Sequence, residues 1–266
     1  MDGIRRSIKT DDGVHIGLLT SGSGPSLLLV HGGMGSIESW GPVWRALTSH
    51  RRVTAMDRRG RGSSSDAASY ALRSEFRDIA AVAQALTKEQ GEPPDVFAHS
   101  FGATCTLGAA ADGAPLRRIA LYEPPGPQAV RNHWPERLSE MVANGQVGRA
   151  TFTFLTEIIG MTTDQVLALR DAPGGREVLP IVAATLPREA RALARADLAA
   201  SARRIRQSAL LIIGANSPAW AHEIISELAA ALAHRTVVEL PGVGHDAIDT
   251  APDLLVAQVL GFLDGP

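Results

Sequence analysis

Cysteine and lysine are scarce in this chain of 266 residues. It has one cysteine, Cys105, and its only lysines are Lys9 and Lys88. A lone cysteine excludes an internal disulfide framework and a zinc site built from several cysteines, which favours a reducing, cytoplasmic location. Since arginine supplies almost all of the basic charge, we attribute the shortage of lysine to coding bias and not to function.

Long apolar runs and an excess of one charge are also absent. Aliphatic runs such as residues 27–30 are far shorter than the roughly 18 residues of a membrane span, and the N-terminal MDGIRRSIKTDDG has no apolar signal-peptide core. With 26 basic and 28 acidic residues the net charge is -2, too small to attract nucleic acid or a membrane surface. We therefore expect a soluble, unprocessed protein that acts on a small molecule and binds neither nucleic acid nor membrane.

The sequence does contain a regular alternation of short aliphatic runs and helical stretches. This alternation is typical of βαβ units and predicts an α/β fold with a mostly parallel sheet. An Asp-Asp-Gly turn at 11–13 makes the first two strands an antiparallel hairpin. Eight strands are predicted, at residues 5–10, 15–20, 26–31, 52–57, 95–99, 118–122, 209–214 and 236–240.

The alternation stops after Tyr122, and about 80 residues pass before the next strand. An unstructured loop of such length is uncommon in a compact domain, so this interval predicts an inserted helical cap. We place the cap at 126–205 and the core at 1–125 and 206–266. Helical patterns occupy the interval at 134–143, 147–159, 163–170 and 188–201.

A serine stands where a predicted strand runs into a predicted helix, in VFAHSFGAT at 96–104. This pattern is typical of a nucleophile elbow, in which strained backbone presents Ser100 and small residues two positions away let strand and helix approach. Gly102 fits the pattern, and Ala98 replaces the usual first glycine. Taken alone, Ser100 is equally compatible with an ordinary helix N-cap.

Two glycine loops accompany the serine. HGGMG at 31–35 follows a strand and suits a backbone donor for a tetrahedral oxyanion, with the N–H groups of Gly33 and Phe101 as candidates and His31 orienting the loop. LPGVGHD at 240–246 places His245 in a glycine loop, where a histidine has little packing to do. Read alone, the first loop is equally a plain tight turn.

Together these motifs resemble the α/β-hydrolase superfamily. The resemblance rests on HGG, on DRRGRGSS at 57–64, on AHSFG at 98–102 and on LPGVGHD, and it covers nearly the whole chain. It implies a mostly parallel eight-stranded sheet flanked by helices, with an inserted helical cap. It also implies catalytic Ser100 and His245, in the chain order usual for that superfamily.

The acid of the expected triad departs from the common pattern. In most members it follows the strand at 209–214, but this chain continues GANSP at 214–218, without a carboxylate. A histidine base needs a partner that fixes its tautomer. Certain dehalogenases and zearalenone-type lactonases place their acid after the preceding strand, where Glu123 stands here. We predict Glu123 as the acid, with Asp249 or a triad lacking an acid as alternatives.

The likeness to the lactonases extends into the predicted cap, at 179–182 and 186–188. Val182 stands where those enzymes carry a substrate-packing tryptophan, which argues against a shared substrate. We expect Met34, Trp134 and Val182 to contact the substrate. Dehalogenation is disfavoured, since dehalogenases attack with a carboxylate and this elbow carries Ser100.

The sequence therefore predicts a serine hydrolase that cleaves a carboxylic ester or lactone of a small, largely apolar molecule through an acyl-enzyme, without metal or organic cofactor. A homodimer is left open. The alternatives are a non-hydrolytic enzyme of this fold, such as a lyase or a cofactor-free oxygenase or peroxidase, and a non-catalytic binding protein.

A more remote alternative is an NAD(P)-dependent oxidoreductase, since glycines 33 and 35 follow a strand and precede Asp57 by about 20 residues. Against it, Glu38 replaces the third glycine of the dinucleotide-binding fingerprint.

Two further features each have a structural and a functional interpretation, and we prefer the structural one for both. Cys105 is read as a buried apolar residue, and the arginines of DRRGRG as part of a turn more than as a phosphate site.

Overall fold

A single mixed sheet of eight strands runs through the part of the chain that the computed structural model describes, residues 1–171 and 185–265. The strands are β1 (Ile4–Lys9), β2 (His15–Ser21), β3 (Ser26–Val30), β4 (Arg52–Met56), β5 (Asp95–His99), β6 (Arg118–Tyr122), β7 (Ser208–Gly214) and β8 (Arg235–Leu240). They lie in the order β1-β2-β4-β3-β5-β6-β7-β8. The pairs β1 with β2 and β2 with β4 are antiparallel and the others are parallel, which confirms the predicted sheet and its first hairpin.

Helices connect most of these strands. They are α1 (Gly41–Thr48), α2 (Leu72–Gln90), α3 (Phe101–Ala111), α4 (Trp134–Ala143), α5 (Val147–Thr153), α6 (Thr163–Asp171), α7 (Leu186–Leu193), α8 (Leu198–Ala202), α9 (Ala219–Ala231), α10 (Ala247–Thr250) and α11 (Pro252–Asp264). Within residues 1–171 and 185–265, no helix combines the length and apolar character that a bilayer crossing requires.

Side chains along β3 point alternately into two hydrophobic cores, one on each face of the sheet. Leu28 and Val30 pack on one face of the sheet with residues of α2, α3 and α9, while Leu27 and Leu29 pack on the other face with residues of α1 and α11. All four side chains are fully buried. Because helices cover both faces, the central strands are aliphatic on both sides, as is usual for parallel sheets.

The register of the central strands determines which residues meet at one edge of the sheet. Val30 lies opposite Ala98, and His99 opposite Tyr122. The loop after β3 and the residues Ser100 and Glu123 therefore follow adjacent strand ends. In open parallel sheets, ligands bind at this carboxyl edge.

The segment between β6 and β7 is helical in its described part. The predicted helix at 134–143 coincides with α4, whereas the predicted stretch at 188–201 is divided into α7 and α8. The division occurs at Asp197, whose side chain accepts a hydrogen bond from Ala200 N at 2.8 Å and so caps a new helix. The predicted stretch at 147–159 begins as α5 and continues in a wider π-type turn over Phe154–Ile158.

Candidate active site

Ser100 occupies a strained turn between β5 and α3. Its backbone has φ 52° and ψ -128°, and the helix begins at the next residue. Residues other than glycine rarely adopt a positive φ, and strain of this kind concentrates at functional sites. A hydrogen bond of 2.8 Å from the N–H of Ser100 to the carbonyl of Tyr122 holds the turn. The predicted strand-to-helix turn is therefore present, and it lifts Ser100 onto the carboxyl edge.

Gly102 lets α3 begin directly against β3. A Cβ atom on Gly102 would lie 2.3 Å from the carbonyl oxygen of His31 and 2.4 Å from that of Val30, so no side chain fits there. Ala98, which replaces the usual glycine two positions before Ser100, is fully buried within β5. The close approach of α3 to β3 therefore requires glycine at position 102, and this chain has glycine there.

Glu123 and His245 form a buried pair beside the serine. Nδ1 of His245 lies 2.6 Å from Oε2 of Glu123, and the carboxylate is fully buried. Oε1 of Glu123 accepts hydrogen bonds from Gly214 N, at 2.7 Å, and from the hydroxyl of Ser217. The structure therefore brings the predicted acid and the predicted base together, although they are separated by 122 positions in sequence.

Asp249, the alternative acid, is not the hydrogen-bond partner of His245, although both line the second cavity described below. It stands on α10, and in the described part of the chain it forms no hydrogen bond with His245. Burial, together with the negative charge of Asp246, raises the pKa of Asp249. Of the two carboxylates considered from the sequence, the structure places Glu123 at the imidazole.

Two aromatic residues that the sequence did not single out hold the His245 loop. The hydroxyl of Tyr122 donates to the carbonyl of Gly244 and accepts from Ala247 N at 3.1 Å. Nε2 of His99 lies 3.1 Å from the carbonyl of His245, and burial lowers the pKa of His99, so a neutral ring donates this bond. Alternation along β5 predicts that His99 points away from Ser100 and does not anticipate its contact with His245.

The glycine loop after β3 lies against the serine turn. A Cβ atom on Gly33 would stand 3.9 Å from Cβ of Phe101, so the two predicted oxyanion donors are neighbours. As the first residue of α3, Phe101 has an N–H without an acceptor inside the helix. Nε2 of His31 accepts from Arg58 N at 3.0 Å, which leaves Nδ1 to donate to the Gly32 carbonyl at 2.9 Å. His31 therefore anchors the loop, as the sequence predicts.

Two cavities meet at Ser100. The first, of about 450 Å³ including open space, lies beneath the helices between β6 and β7, and its described lining is mostly apolar. The second, of about 940 Å³ including open space, adjoins His245 and also contains Met34. Trp134 lines the first cavity, and Val182 lies outside the described residues. The predicted substrate contacts Met34 and Trp134 therefore line two different cavities, each of which Ser100 also lines.

The carboxylate of Asp57 is occupied by hydrogen bonds that stabilise a turn. Its carboxylate accepts from Ile37 N at 2.7 Å and from the backbone and side chain of Ser63, both at 2.8 Å. Asp57 is buried, so its carboxylate is not presented to a ribose. This geometry argues against the oxidoreductase alternative. Cys105 is likewise buried, and burial raises the pKa of its thiol, in keeping with its interpretation as an apolar residue.

The three arginines of DRRGRG are buried and ion-paired, so they do not form a phosphate site. Arg59 contacts Asp78 through two bonds of 2.7 Å. Arg58 and Arg61 both bind one oxygen of Glu189, at 2.7 and 2.8 Å. The sequence gives no sign of this pairing, because Glu189 follows Arg58 by 131 positions and stands in the segment after β6.

Comparison with known proteins gives a consistent result. The model of the alpha/beta hydrolase family matches residues 27–258. An alpha/beta hydrolase of known structure from Sphaerobacter thermophilus is 32% identical, with a TM-score of 0.84, over 97% of this chain and 100% of that one. A hydrolase from Pseudomonas aeruginosa, 24% identical over the whole of both chains, shares the fold with a TM-score of 0.78.

One curated relative matches over a shorter stretch. The N-formylmaleamate deformylase of Pseudomonas putida is 35% identical over 120 residues. The matched stretch spans 44% of this chain and 44% of that enzyme.

Proposed function

Because the chain belongs to the alpha/beta hydrolase family, we propose that it is a serine hydrolase that cleaves a carboxylic ester or lactone of a small, largely apolar molecule. The observation that carries the proposal is the contact of 2.6 Å between the buried Glu123 carboxylate and Nδ1 of His245. His245 in turn adjoins a cavity that Ser100 also lines. A nucleophile, a base and an acid are thus available at one edge of the sheet.

In the proposed mechanism, Glu123 accepts a hydrogen bond from Nδ1–H of His245, so that Nε2 is unprotonated and free to take the proton of Ser100. The serine oxygen attacks the carbonyl carbon, and the N–H groups of Gly33 and Phe101 stabilise the resulting oxyanion. One such donor is typically worth about 2.7 to 4 kcal/mol. The imidazolium then protonates the leaving oxygen, and water, activated by the same base, hydrolyses the acyl-enzyme.

The cavity beneath the helices between β6 and β7 supports an uncharged acyl group. Its described lining is mostly apolar and includes Val130, Trp134, Ile158, Leu193 and Trp220. The charged residue in this described lining is an acid, Glu189. An anionic substrate arm would lose hydration there without meeting a cationic side chain in the described lining. We therefore propose a neutral substrate, in contrast to the N-formylmaleamate named for the P. putida relative, which is itself a carboxylate.

Covalent labelling tests the nucleophile. We expect a fluorophosphonate to label the wild-type protein at Ser100, and the Ser100→Ala variant to lose both labelling and hydrolysis of short-chain p-nitrophenyl esters. Ser49→Ala is the matched control, because Ser49 is exposed at the end of α1. Full ester turnover by Ser100→Ala would refute Ser100 as the nucleophile. A wild-type protein that neither labels nor hydrolyses esters would instead favour a non-hydrolytic enzyme of this fold.

A substrate series tests the acyl group. Neutral butyryl and hexanoyl esters and the matching lactones should be turned over, whereas a hemisuccinate ester of the same alcohol should be a poor substrate. The ratio of kcat/KM between the butyryl and hemisuccinyl esters measures the discrimination. A ratio near one would contradict the proposed neutral substrate without affecting the serine mechanism.

A further inference from the structure

We infer that Glu189, on α7, is a positioning residue for the glycine loop after β3. It acts through two arginines, Arg58 and Arg61, which hold the carbonyl groups of that loop. This inference rests on the proposed function, in which the N–H of Gly33 stabilises the oxyanion. It gives the segment between β6 and β7 a role in transition-state stabilisation besides lining the cavity.

The two arginines hold consecutive peptide carbonyls. Arg58 Nη1 donates to the carbonyl of Gly32 at 3.1 Å, and Arg61 donates to that of Gly33 from Nε at 3.1 Å and from Nη2 at 2.5 Å. A peptide unit is planar and trans, so its C=O and N–H point in opposite directions. Fixing the Gly32 carbonyl therefore fixes the direction of the Gly33 N–H.

Glu189 in turn holds both arginines. Its Oε1 accepts from Arg58 Nη2 at 2.7 Å and from Arg61 Nη2 at 2.8 Å, and the residue is 3% exposed. Glu75, on α2, binds the other edge of Arg58 at 2.8 and 3.2 Å. Burial opposes the charge of Arg58, but these carboxylates raise its pKa well above its usual value, so it remains a cation.

The carboxylate is also next to the loop itself. A Cβ atom on Gly33 would lie 3.4 Å from Oε2 of Glu189, and both residues line the cavity beneath the helices between β6 and β7. Without Glu189 the two buried guanidinium groups would lose the counter-ion that they share, and Arg58 would be drawn toward its other carboxylate, Glu75. That movement would withdraw Arg58 from the Gly32 carbonyl, leave His31 Nδ1 to hold it and so loosen the direction of the Gly33 N–H.

Glu189→Gln tests this role, because glutamine keeps the shape and an acceptor oxygen but removes the charge. Complete loss of an oxyanion donor lowers kcat about 10²–10³-fold. For misorientation of one donor we expect a decrease of about 10- to 100-fold in kcat, counted per site labelled by fluorophosphonate, with KM changing less than about threefold. Binding of a trifluoromethyl ketone, whose adduct on Ser100 carries an oxyanion, should weaken in parallel with kcat/KM.

Asp66→Asn is the matched control. Asp66 pairs with Arg188, the neighbour of Glu189 on α7, at 2.8 and 3.1 Å, but the glycine loop is not among its partners. If α7 merely needs an ion pair for stability, both variants should lower the melting temperature and neither should change kcat per labelled site. We expect Asp66→Asn to retain wild-type kcat and analogue affinity.

Arg58→Lys provides a second measurement if Glu189→Gln does not fold by circular dichroism. Lysine keeps the positive charge but lacks the planar fork that spans the Gly32 carbonyl and Glu189, so the same loss of kcat and analogue affinity is expected. Wild-type kcat per labelled site in the folded variant would overturn the inference. Failure of the wild-type protein to label or to hydrolyse esters would instead refute the proposed function.

Discussion

The hydroxyl of Ser217 donates a hydrogen bond to Oε1 of Glu123, the carboxylate oxygen that does not face His245. Gly214 N donates to the same oxygen at 2.7 Å. Hydrogen bonds to charged groups are worth about 1.5 to 3 kcal/mol. The loop after β7, which lacks a carboxylate of its own, thus supplies the donors that hold the carboxylate of the neighbouring strand.

Replacing Ser217 by alanine should lower kcat about tenfold while leaving KM nearly unchanged. Removing one of the two donors to Oε1 should raise the activation free energy by about 1.4 kcal/mol, because Glu123 is then held less firmly. This increase corresponds to a factor of about ten in rate. Steady-state kinetics with a p-nitrophenyl ester measures the effect. Asn216→Ala is the control, because Asn216 is the exposed neighbour in the same loop. Equal kcat for the two variants would show that Ser217 does not position Glu123.

Glu123→Gln should lower kcat by about 10³-fold or more. An amide does not stabilise the imidazolium and favours the wrong tautomer of His245; in the serine protease template the corresponding change costs about 10⁴. Asp249→Asn should retain near-wild-type kcat, since Asp249 is not the partner of His245. Kinetics of both variants, normalised to fluorophosphonate-labelled sites, provide the comparison. The opposite result, with Asp249→Asn inactive, would place the acid at 249.

Two glycine-to-alanine substitutions should have opposite effects on stability. Gly102→Ala places a methyl group 2.3 Å from the His31 carbonyl, and overpacking of this kind costs about 1–3 kcal/mol or more. Gly261 lies inside α11 with no atom within 4 Å of a built Cβ, so Gly261→Ala should stabilise the protein by up to about 1 kcal/mol. Urea denaturation measures both changes. A tolerated alanine at 102 would mean that α3 can move away from β3.

Buried neutral histidines should make the protein less stable in acid. Burial lowers the pKa of His99 and His31 well below the usual 6.5, so below that pH the unfolded chain binds protons that the folded chain does not. Stability is therefore fully present above pH 6.5 and falls as the pH decreases, by up to about 1.4 kcal/mol per pH unit for each histidine. Urea denaturation between pH 5 and 8 should show a shallower slope for His99→Gln than for wild type. Substitution of the exposed His50 should leave the slope unchanged.

Local sequence patterns were sufficient for the sheet and for the placement of Ser100 and His245. Most strands are short aliphatic runs bounded by glycine, proline or polar residues. Ser100 directly follows β5, and His245 stands in the glycine loop after β8 ends at Leu240. Parallel strands then bring their carboxyl ends together without further information. Glu123 required one more step, the absence of a carboxylate at 214–218 together with the resemblance to hydrolases that use the preceding strand.

Contacts between distant segments were not predictable in the same way. Glu189 pairs with Arg58 across 131 positions, and Tyr122 reaches Gly244 across 122. Neither pairing follows from periodicity or local propensity, because each depends on how the segment after β6 and the loop after β8 settle on the sheet. The break at Asp197 was missed for a different reason: a capping aspartate inside a helical pattern is a weak local signal.

The positive φ angles of Ser100 and Glu123, 52° and 48°, set stability and catalysis against each other. Such conformations cost on the order of 1–3 kcal/mol for residues with a side chain and almost nothing for glycine. At Glu123 the loss of its buried hydrogen bonds would offset the gain from glycine, whereas a library selected for thermal tolerance alone would be enriched in glycine at position 100. Heat-resistant descendants of this chain obtained in that way would lack the group to which the proposed mechanism assigns the attack, so a screen for robust variants must demand turnover at every round.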